Sequence, residues 1–178
     1  MDRRKYLTRG VNIGITLGVA GLLAGPLSGC GFKLRGSLNF AFESIAVNPA
    51  TGGQVAAELR RALASNVRLV GVDAPAGATG PAQVVLDVVS EQREKTVVGV
   101  NAAGQVREFQ LRIRVKFKLR SAQGKALIEE TELLQQRDIS FNESAALAKE
   151  TEEALLYRDM QTDIVQQLMR RLAAIKAL

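Results

Sequence analysis

The stretch at residues 110–120 constrains the fold more than any other, because apolar and basic residues alternate along it without a break. A period of two places successive side chains on opposite faces of a β-strand. One face carries five apolar side chains, Leu111, Ile113, Val115, Phe117 and Leu119. The other face carries five cations, Arg112, Arg114, Lys116, Lys118 and Arg120. Side chains on one face are roughly 6.6 to 6.8 Å apart, so the cations form a row about 27 Å long.

This pattern predicts a strand that is half-buried in a sheet. We expect its apolar face to lie in the core under helices, and its basic face to take an anionic partner. The alternation alone leaves three kinds of partner open, which are nucleic acid, an acidic protein strand and a phosphorylated lipid.

Shorter patterns predict the rest of the sheet. Four further strands are expected, at residues 43–48, 67–70, 84–91 and 126–137. Residues 96–100 extend the third of these beyond a kink, and Asp87 and Glu91, four residues apart, are predicted on one face of it. Turn residues at 101–104 and 123–124 then join three consecutive antiparallel strands. Residues 71–81 form a loop by composition.

Apolar residues at helical spacing predict two helices. The first runs to about Asn66, which we expect to end it in the left-handed conformation. The second covers about residues 145–174 and begins either with a capping box of Ser140 and Glu143 or with Asn142 as the cap. Its predicted core stripe contains Leu147, Thr151, Ala154, Leu155, Ile164, Val165, Leu168, Met169, Leu172 and Ile175.

The first 29 residues have the composition of a cleaved export signal. A basic head at residues 1–10 precedes an apolar run at residues 11–27, which is rich in glycine and contains Pro26. The alternative interpretation is a transmembrane helix, but an apolar run of about 17 residues is short for one. Arg3 and Arg4 also resemble a twin-arginine signal, and either export route leads out of the cytoplasm.

Leu27, Ser28, Gly29 and Cys30 match the lipobox of bacterial lipoproteins, so the chain resembles a lipoprotein precursor. By this resemblance, cleavage follows Gly29, and Cys30 carries an N-acyl chain and S-diacylglycerol, with palmitate as a typical acyl group. Several acyl chains give stable anchoring where one is marginal. Gly31, in place of an aspartate, favours the outer membrane by the same resemblance. The alternative is that Cys30 is a buried free thiol.

Two segments carry a further resemblance. CGFKLRG at residues 30–36 directly follows the lipobox, and residues 146–172 have an acidic beginning and end in QQLMRRL. Both resemble the lipopolysaccharide-assembly lipoprotein family of the LptE (RlpB) type. The implied fold is an α+β two-layer sandwich, with two helices on one face of a mostly antiparallel sheet of four or more strands. The family's pattern makes residues 30–178 a single domain after a signal peptide at 1–29.

The resemblance also implies a function. Members are held by their lipid at the periplasmic side of the outer membrane, plug and help assemble the LptD-type β-barrel, and assist insertion of lipopolysaccharide at the cell surface. The basic strand, from Arg112 to Arg120, is then a candidate contact with lipopolysaccharide or with the barrel. Acidic residues on neighbouring strands are expected to neutralise part of it, namely Asp87, Glu91, Glu129, Glu130 and Glu132.

Composition limits the catalytic alternatives. The 178 residues include no histidine and one cysteine, which excludes Ser/His/Asp and Cys/His catalysis, histidine-containing zinc sites and intramolecular disulfides. Ser121 with Lys125 is the best remaining nucleophile and base, and it lies at a predicted turn. We therefore predict no enzymatic activity, no metal and no cofactor beyond the lipid. A cell-wall lipoprotein hydrolase and a generic envelope-binding lipoprotein are the alternatives, whereas export argues against nucleic acid as a partner.

Overall fold

The computed structural model describes residues 38–71 and 80–178. The predicted signal peptide, the acylation site at Cys30 and most of the predicted loop at 71–81 lie outside the described residues. Phe32 and Leu34 alternate with Lys33 and Arg35, which predicts a short strand, and this segment also lies outside them. Within the described part of the chain, no helix is long and apolar enough to span a membrane.

The described chain contains five strands and two α-helices. In chain order these elements are β1 (Ser44–Asn48), α1 (Val55–Leu63), β2 (Arg68–Val70), β3 (Val84–Val100), β4 (Val106–Ser121), β5 (Ala126–Ser140) and α2 (Ala146–Ala173). A single turn of 3-10 helix, Glu143–Ala145, leads into α2. The predicted strands and helices are thus confirmed, and β3 runs continuously through the predicted kink.

The strands form one sheet in the order β2-β1-β3-β4-β5. β1 is parallel to both of its neighbours, β2 and β3, while β3, β4 and β5 form the predicted antiparallel meander. Both helices pack on the same face of the sheet, so the predicted α+β two-layer sandwich is confirmed. The meander follows from its turns, since Gly104 and Gly124 adopt the positive φ that both turns require.

The core lies between the sheet and the helices. All five apolar side chains of β4, from Leu111 to Leu119, are buried there, as the alternation predicts. α2 covers them with Met160, Ile164, Leu168 and Leu172, which recur at a spacing of four and share one face of the helix. Neither α1 nor α2, the two α-helices of the described residues, covers the opposite face of the sheet, which carries the cations.

β3 contains a bulge that the sequence pattern does not reveal. Val88 pairs with Phe117 and Ser90 pairs with Lys116, so Val89 is an extra residue. One extra residue moves every later side chain to the other face. Asp87 therefore lies beside Lys118 on the helix-free face, whereas Glu91 lies beside Val115 on the helix side. The prediction that both carboxylates share a face is wrong for this reason.

The predicted core stripe of α2 is correct only in its second half. Leu147 is 80% exposed and Leu155 is 52% exposed. The helix instead turns Glu153 and Tyr157 toward the sheet, because the bulge has placed polar residues of β3 beneath this half. Polar contacts replace the apolar core there.

Two predictions concern the residues at the ends of the helices. The Asn142 side chain accepts the Ser144 backbone N–H at 3.1 Å, while Ser140 accepts from Lys149, so Asn142 is the cap and the capping box is not formed. α1 ends at Leu63, and the residue that follows it, Ala64, is in the right-handed conformation. No described residue other than glycine has a positive φ, so the left-handed conformation predicted for Asn66 is wrong.

Candidate anion-binding surface

The candidate surface is the helix-free side of β4, which we call the basic face and define as Arg112, Arg114, Lys116, Lys118 and Arg120. All five side chains lie on this side of the sheet, because the apolar residues that alternate with them are buried in the core on the other side. Lys118 is exposed and the other four are partly buried between neighbouring strands. The predicted row of cations is therefore present on one surface.

Two of the five cations form ion pairs with acids on the adjacent strands. Arg120 Nε lies 3.2 Å from Asp87 on β3, and Arg114 Nε lies 3.6 Å from Glu132 on β5. Asp87 also accepts a hydrogen bond of 2.7 Å from Asn48 on β1. Cross-strand neutralisation at these two positions agrees with the sequence expectation.

Arg112 is held by a neighbour on its own strand. Its guanidinium donates from Nε to Gln110 Oε1 at 2.7 Å and makes a second bond to the same oxygen. Gln110 in turn donates to Asp138 on β5 at 2.9 Å. Among the described residues, Arg112 is thus oriented by an amide and forms no ion pair with a carboxylate.

Lys116 and Lys118 have no ion pair or side-chain hydrogen bond with any residue that the structure describes. Lys116 lies between Ser90 and Glu132 in the register, but Glu132 is engaged by Arg114. An anion with several oxygens can therefore reach two adjacent ammonium groups without first breaking an ion pair. Lys116 and Lys118 are thus two adjacent cations of the basic face without a side-chain partner among the described residues, and Arg114 separates them from Arg112.

A second polar feature lies on the opposite side of the sheet, and the sequence prediction missed it. It is a groove of about 940 Å³ between α1 and α2. Arg93 and Lys95 of β3 line it, together with Glu58 and Arg61 of α1 and, on α2, Glu150, Glu153, Tyr157, Arg158, Gln161 and Thr162. The period-two spacing of Glu91, Arg93 and Lys95 indicates that these three charged side chains share one face of β3. It does not show which face, because that depends on the bulge at Val89.

Hydrogen bonds cross this groove. Gln161 accepts from Arg93 at 2.6 Å and donates to Glu58 at 2.6 Å, while Thr162 donates to the other oxygen of Glu58 at 2.8 Å. Nearer the start of α2, Lys95 pairs with Glu153 at 2.6 Å. These bonds join both helices to β3.

Tyr157 closes one part of the groove. Its hydroxyl donates to the Glu94 carbonyl at 2.8 Å, and its ring lies below the Arg93 guanidinium. Burial raises the pKa of the Tyr157 phenol above the ordinary 10.0, and the charge of Glu153 acts in the same direction, against Arg93. The phenol is therefore a neutral hydrogen-bond donor at physiological pH.

The catalytic alternative gains no support. The Ser121 side chain is 3% exposed, and its hydroxyl has no partner among the described residues. The contact between Ser121 and Lys125 is a backbone turn bond of 2.8 Å. Within residues 38–71 and 80–178, no group of three acidic or cysteine residues could hold a metal ion.

Comparison with known proteins places the fold among envelope lipoproteins. A solved lipoprotein B from Nitrosomonas europaea is 31% identical, covers 81% of this chain and 91% of its own, and superposes with a TM-score of 0.68. Rare lipoprotein B from Shewanella oneidensis is 20% identical (74% and 94% coverage, TM-score 0.61), and a minor lipoprotein from Acinetobacter baumannii is 23% identical (75% and 92%, TM-score 0.57). No curated protein sequence matches the chain.

These similarities, with the two-layer fold and its cationic open face, define the class as an envelope lipoprotein domain. The family model for lipopolysaccharide assembly, LptE, matches residues 40–172. The chain belongs to this LptE lipopolysaccharide-assembly family, as the residues around the lipobox and in α2 predict.

Proposed function

We propose that the protein is an outer-membrane lipoprotein that plugs and helps to assemble an LptD-type β-barrel and assists insertion of lipopolysaccharide at the cell surface. It acts by binding, without catalysis. Acyl chains on Cys30 hold it to the inner leaflet, facing the periplasm. Family membership supports a role in lipopolysaccharide assembly. The observation that supports the ligand contact is that Lys116 and Lys118, on the helix-free face, form no ion pair with any described residue.

The chemistry of lipid A suits this surface. Its phosphates offer several anionic oxygens, and lysine meets such groups as a mobile point charge. Arg112, oriented by Gln110, offers planar donors further along the same face, beyond Arg114. Arg114 and Arg120 would have to exchange Glu132 and Asp87 for the ligand, so they contribute less.

The test of the ligand contact is charge reversal at the unpaired positions. We expect Lys116→Glu with Lys118→Glu to weaken lipopolysaccharide binding at least about 30-fold, since each cation near an anionic lipid surface contributes about 1 kcal/mol. Binding is measured by titration of the purified full-length lipoprotein in detergent at fixed salt. Lys125→Glu with Lys176→Glu is the matched control, because both lysines are exposed and lie off the basic face.

Two outcomes would contradict this contact. One is unchanged binding by the Lys116 and Lys118 double variant at matched salt. The other is an equal loss in the Lys125 and Lys176 control, which would indicate an effect of net charge alone. Circular dichroism of both variants checks that the sheet is intact.

The barrel and the anchor need separate tests. Affinity purification from detergent-solubilised outer membrane should co-elute a large β-barrel, and elution as a monomeric lipoprotein would count against the plug. Mass spectrometry of the purified protein should find Cys30 as an acylated N-terminus, and Cys30→Ala should release the protein from the membrane fraction. An unmodified Cys30 inside an intact chain would contradict the lipid anchor.

A further inference from the structure

One edge of β3 has no neighbouring strand from the described part of the chain along most of its length. β1 pairs with β3 only as far as Asn48 beside Asp87, whereas β3 continues to Val100. Beyond Asp87, β4 is its only strand partner among the described residues. An unpaired edge presents a row of backbone N–H and C=O groups that another extended chain can bond.

Hydrogen bonds at the ends of β4 identify which residues of β3 present these groups. Ala122 N–H donates toward β3, to the Gln83 carbonyl at 2.9 Å, and Ser121 N–H donates toward β5, to the Lys125 carbonyl at 2.8 Å. Backbone groups alternate sides along a strand. Even-numbered residues of β4 therefore bond to β3 and odd-numbered ones to β5.

The other end of β4 agrees, because the Arg107 carbonyl accepts from Phe141, beyond β5, at 2.7 Å. Opposite the even-numbered residues of β4 lie Gln92, Glu94 and Thr96, which consequently bond to β4. The residues between them present their backbone to the open edge, and these are Arg93, Lys95 and Val97. Their side chains lie on the helix side, where Arg93 and Lys95 line the groove.

The groove beside this edge has room and charge for a ligand. Its volume of about 940 Å³ lies within the range of ligand-binding clefts. Arg93 and Lys95 already bond Gln161 and Glu153. Arg61 and Arg158 have no ion pair or side-chain hydrogen bond within the described residues, whereas the Glu58 carboxylate is taken by Gln161 and Thr162, and Glu150 is the one acid of the described lining without a side-chain partner. The open positions of the groove therefore favour acidic side chains.

We infer that the β3 edge at Arg93, Lys95 and Val97 is a docking site for an extended, acidic peptide segment of another protein, which adds as a further strand of the sheet. The exposed backbone groups require an extended chain, and the groove takes alternate side chains of that chain. A second copy of this protein fits less well, since antiparallel pairing about Lys95 would set two lysines directly opposite. The site lies across the sheet from the basic face and does not depend on lipopolysaccharide binding.

The test uses a labelled ten-residue peptide of alternating glutamate and threonine, titrated by fluorescence anisotropy against the full-length lipoprotein in detergent. A residue bonded directly opposite Lys95 in an antiparallel pair has its side chain on the groove side. N-methylation of the glutamate amides should therefore weaken binding at least about tenfold, because it blocks the edge bonds. N-methylation of the threonine amides, which point away, is the matched control and should leave binding intact.

Variants of the protein test the same contact. Lys95→Pro should weaken binding about tenfold relative to Lys95→Ala, because both lose the side chain but only proline loses the edge N–H. If Lys95→Pro fails to fold, Val97→Pro and Val97→Ala provide the same comparison at a second edge position, where the side chain is apolar. Arg61→Glu with Arg158→Glu should weaken binding of the acidic peptide.

Several results would overturn the inference. The inference is wrong if the peptide does not bind, or if the two N-methylated peptides bind equally well. It is also wrong if the proline and alanine variants bind the peptide with equal affinity, or if a lysine-threonine peptide binds more tightly than the glutamate-threonine peptide. Concentration-dependent dimers that Lys95→Pro abolishes would assign the edge to a second copy of this chain instead.

Discussion

Glu91 should be the residue on which the start of α1 depends. Its carboxylate accepts the Val55 backbone N–H at 2.9 Å, in the first turn of the helix. Gln54, at the cap position itself, makes no side-chain bond to the helix. The Glu91 side chain is only 5% exposed, and Arg93 lies 3.8 Å away. A residue of β3 thus does what a capping side chain in the sequence before α1 normally does.

The magnitude follows from these contacts. A hydrogen bond to a charged group contributes about 1.5 to 3 kcal/mol, and a carboxylate at a helix N-terminus adds about 0.3 to 1 kcal/mol. We expect Glu91→Ala to lower the free energy of unfolding by about 2 to 3 kcal/mol in total, since the two effects overlap. Glu91→Gln keeps an acceptor but loses the charge, so we expect a loss of about 1 kcal/mol.

Urea unfolding followed by circular dichroism measures these differences. Glu132→Ala is the control, because its carboxylate is 40% exposed, lies 3.6 Å from Arg114, and should cost about 0 to 1 kcal/mol. Gly53→Ala provides a second approach, since its Cβ would lie 2.6 Å from Glu91 Oε2 and displace the carboxylate. Its effect should shrink in a Glu91→Ala background. The reasoning is refuted if Glu91→Ala costs no more than Glu132→Ala, or if Glu91→Gln costs as much as Glu91→Ala.

Three further results are expected from the fold. Ile164→Ala, in the buried half of α2, should lower the free energy of unfolding by about 2 to 5 kcal/mol, while Leu155→Ala in the exposed half should change it by less than about 0.5 kcal/mol in the same urea titration. Asn142→Ala should cost about 1 kcal/mol by removing the cap, and an unchanged urea midpoint would contradict that role. Because the folded-state pKa of Tyr157 is raised above 10.0, its contribution to stability is present below about pH 10 and is lost as the pH rises through the folded-state value. Tyr157→Phe should therefore reduce the fall in unfolding free energy above about pH 10, measured against the unmodified protein, and an identical pH profile would contradict the shift.

Much of the architecture could be predicted from local patterns. Strict alternation in β4 identifies both its strand character and its two faces, because a period of two has no helical interpretation. Helical spacing locates α1 and α2, and the glycine-containing turns join β3, β4 and β5 in the correct order. The same alternation therefore predicts that the cations of the basic face lie on the side of the sheet opposite the core.

The remaining features depend on contacts between distant residues. Which acids neutralise the cations is decided by register, so Asp87 and Glu132 form ion pairs while Glu91 does not face them. β1 lies between β2 and β3 because it pairs with both in parallel. Parallel pairing involves no tight turn, so no turn residue in the sequence predicts it. The polar half of α2 was missed because helical spacing ranks Leu147 and Leu155 as core residues, whereas the sheet beneath that half offers polar partners.

The extra residue at Val89 should also give the two parts of β3 different local stability. Before it, β3 contributes Val84, Leu86 and Val88 to the apolar core, and those amides should exchange with solvent only through global unfolding. After it, the helices are joined to β3 by hydrogen bonds and ion pairs, which water can replace one by one. The contacts of β3 beyond Val89 with α2 can therefore open while Leu111, Ile113 and Val115 of β4 stay buried under the helices. Such local opening would let this end of the molecule adjust its shape while the rest of the fold stays closed.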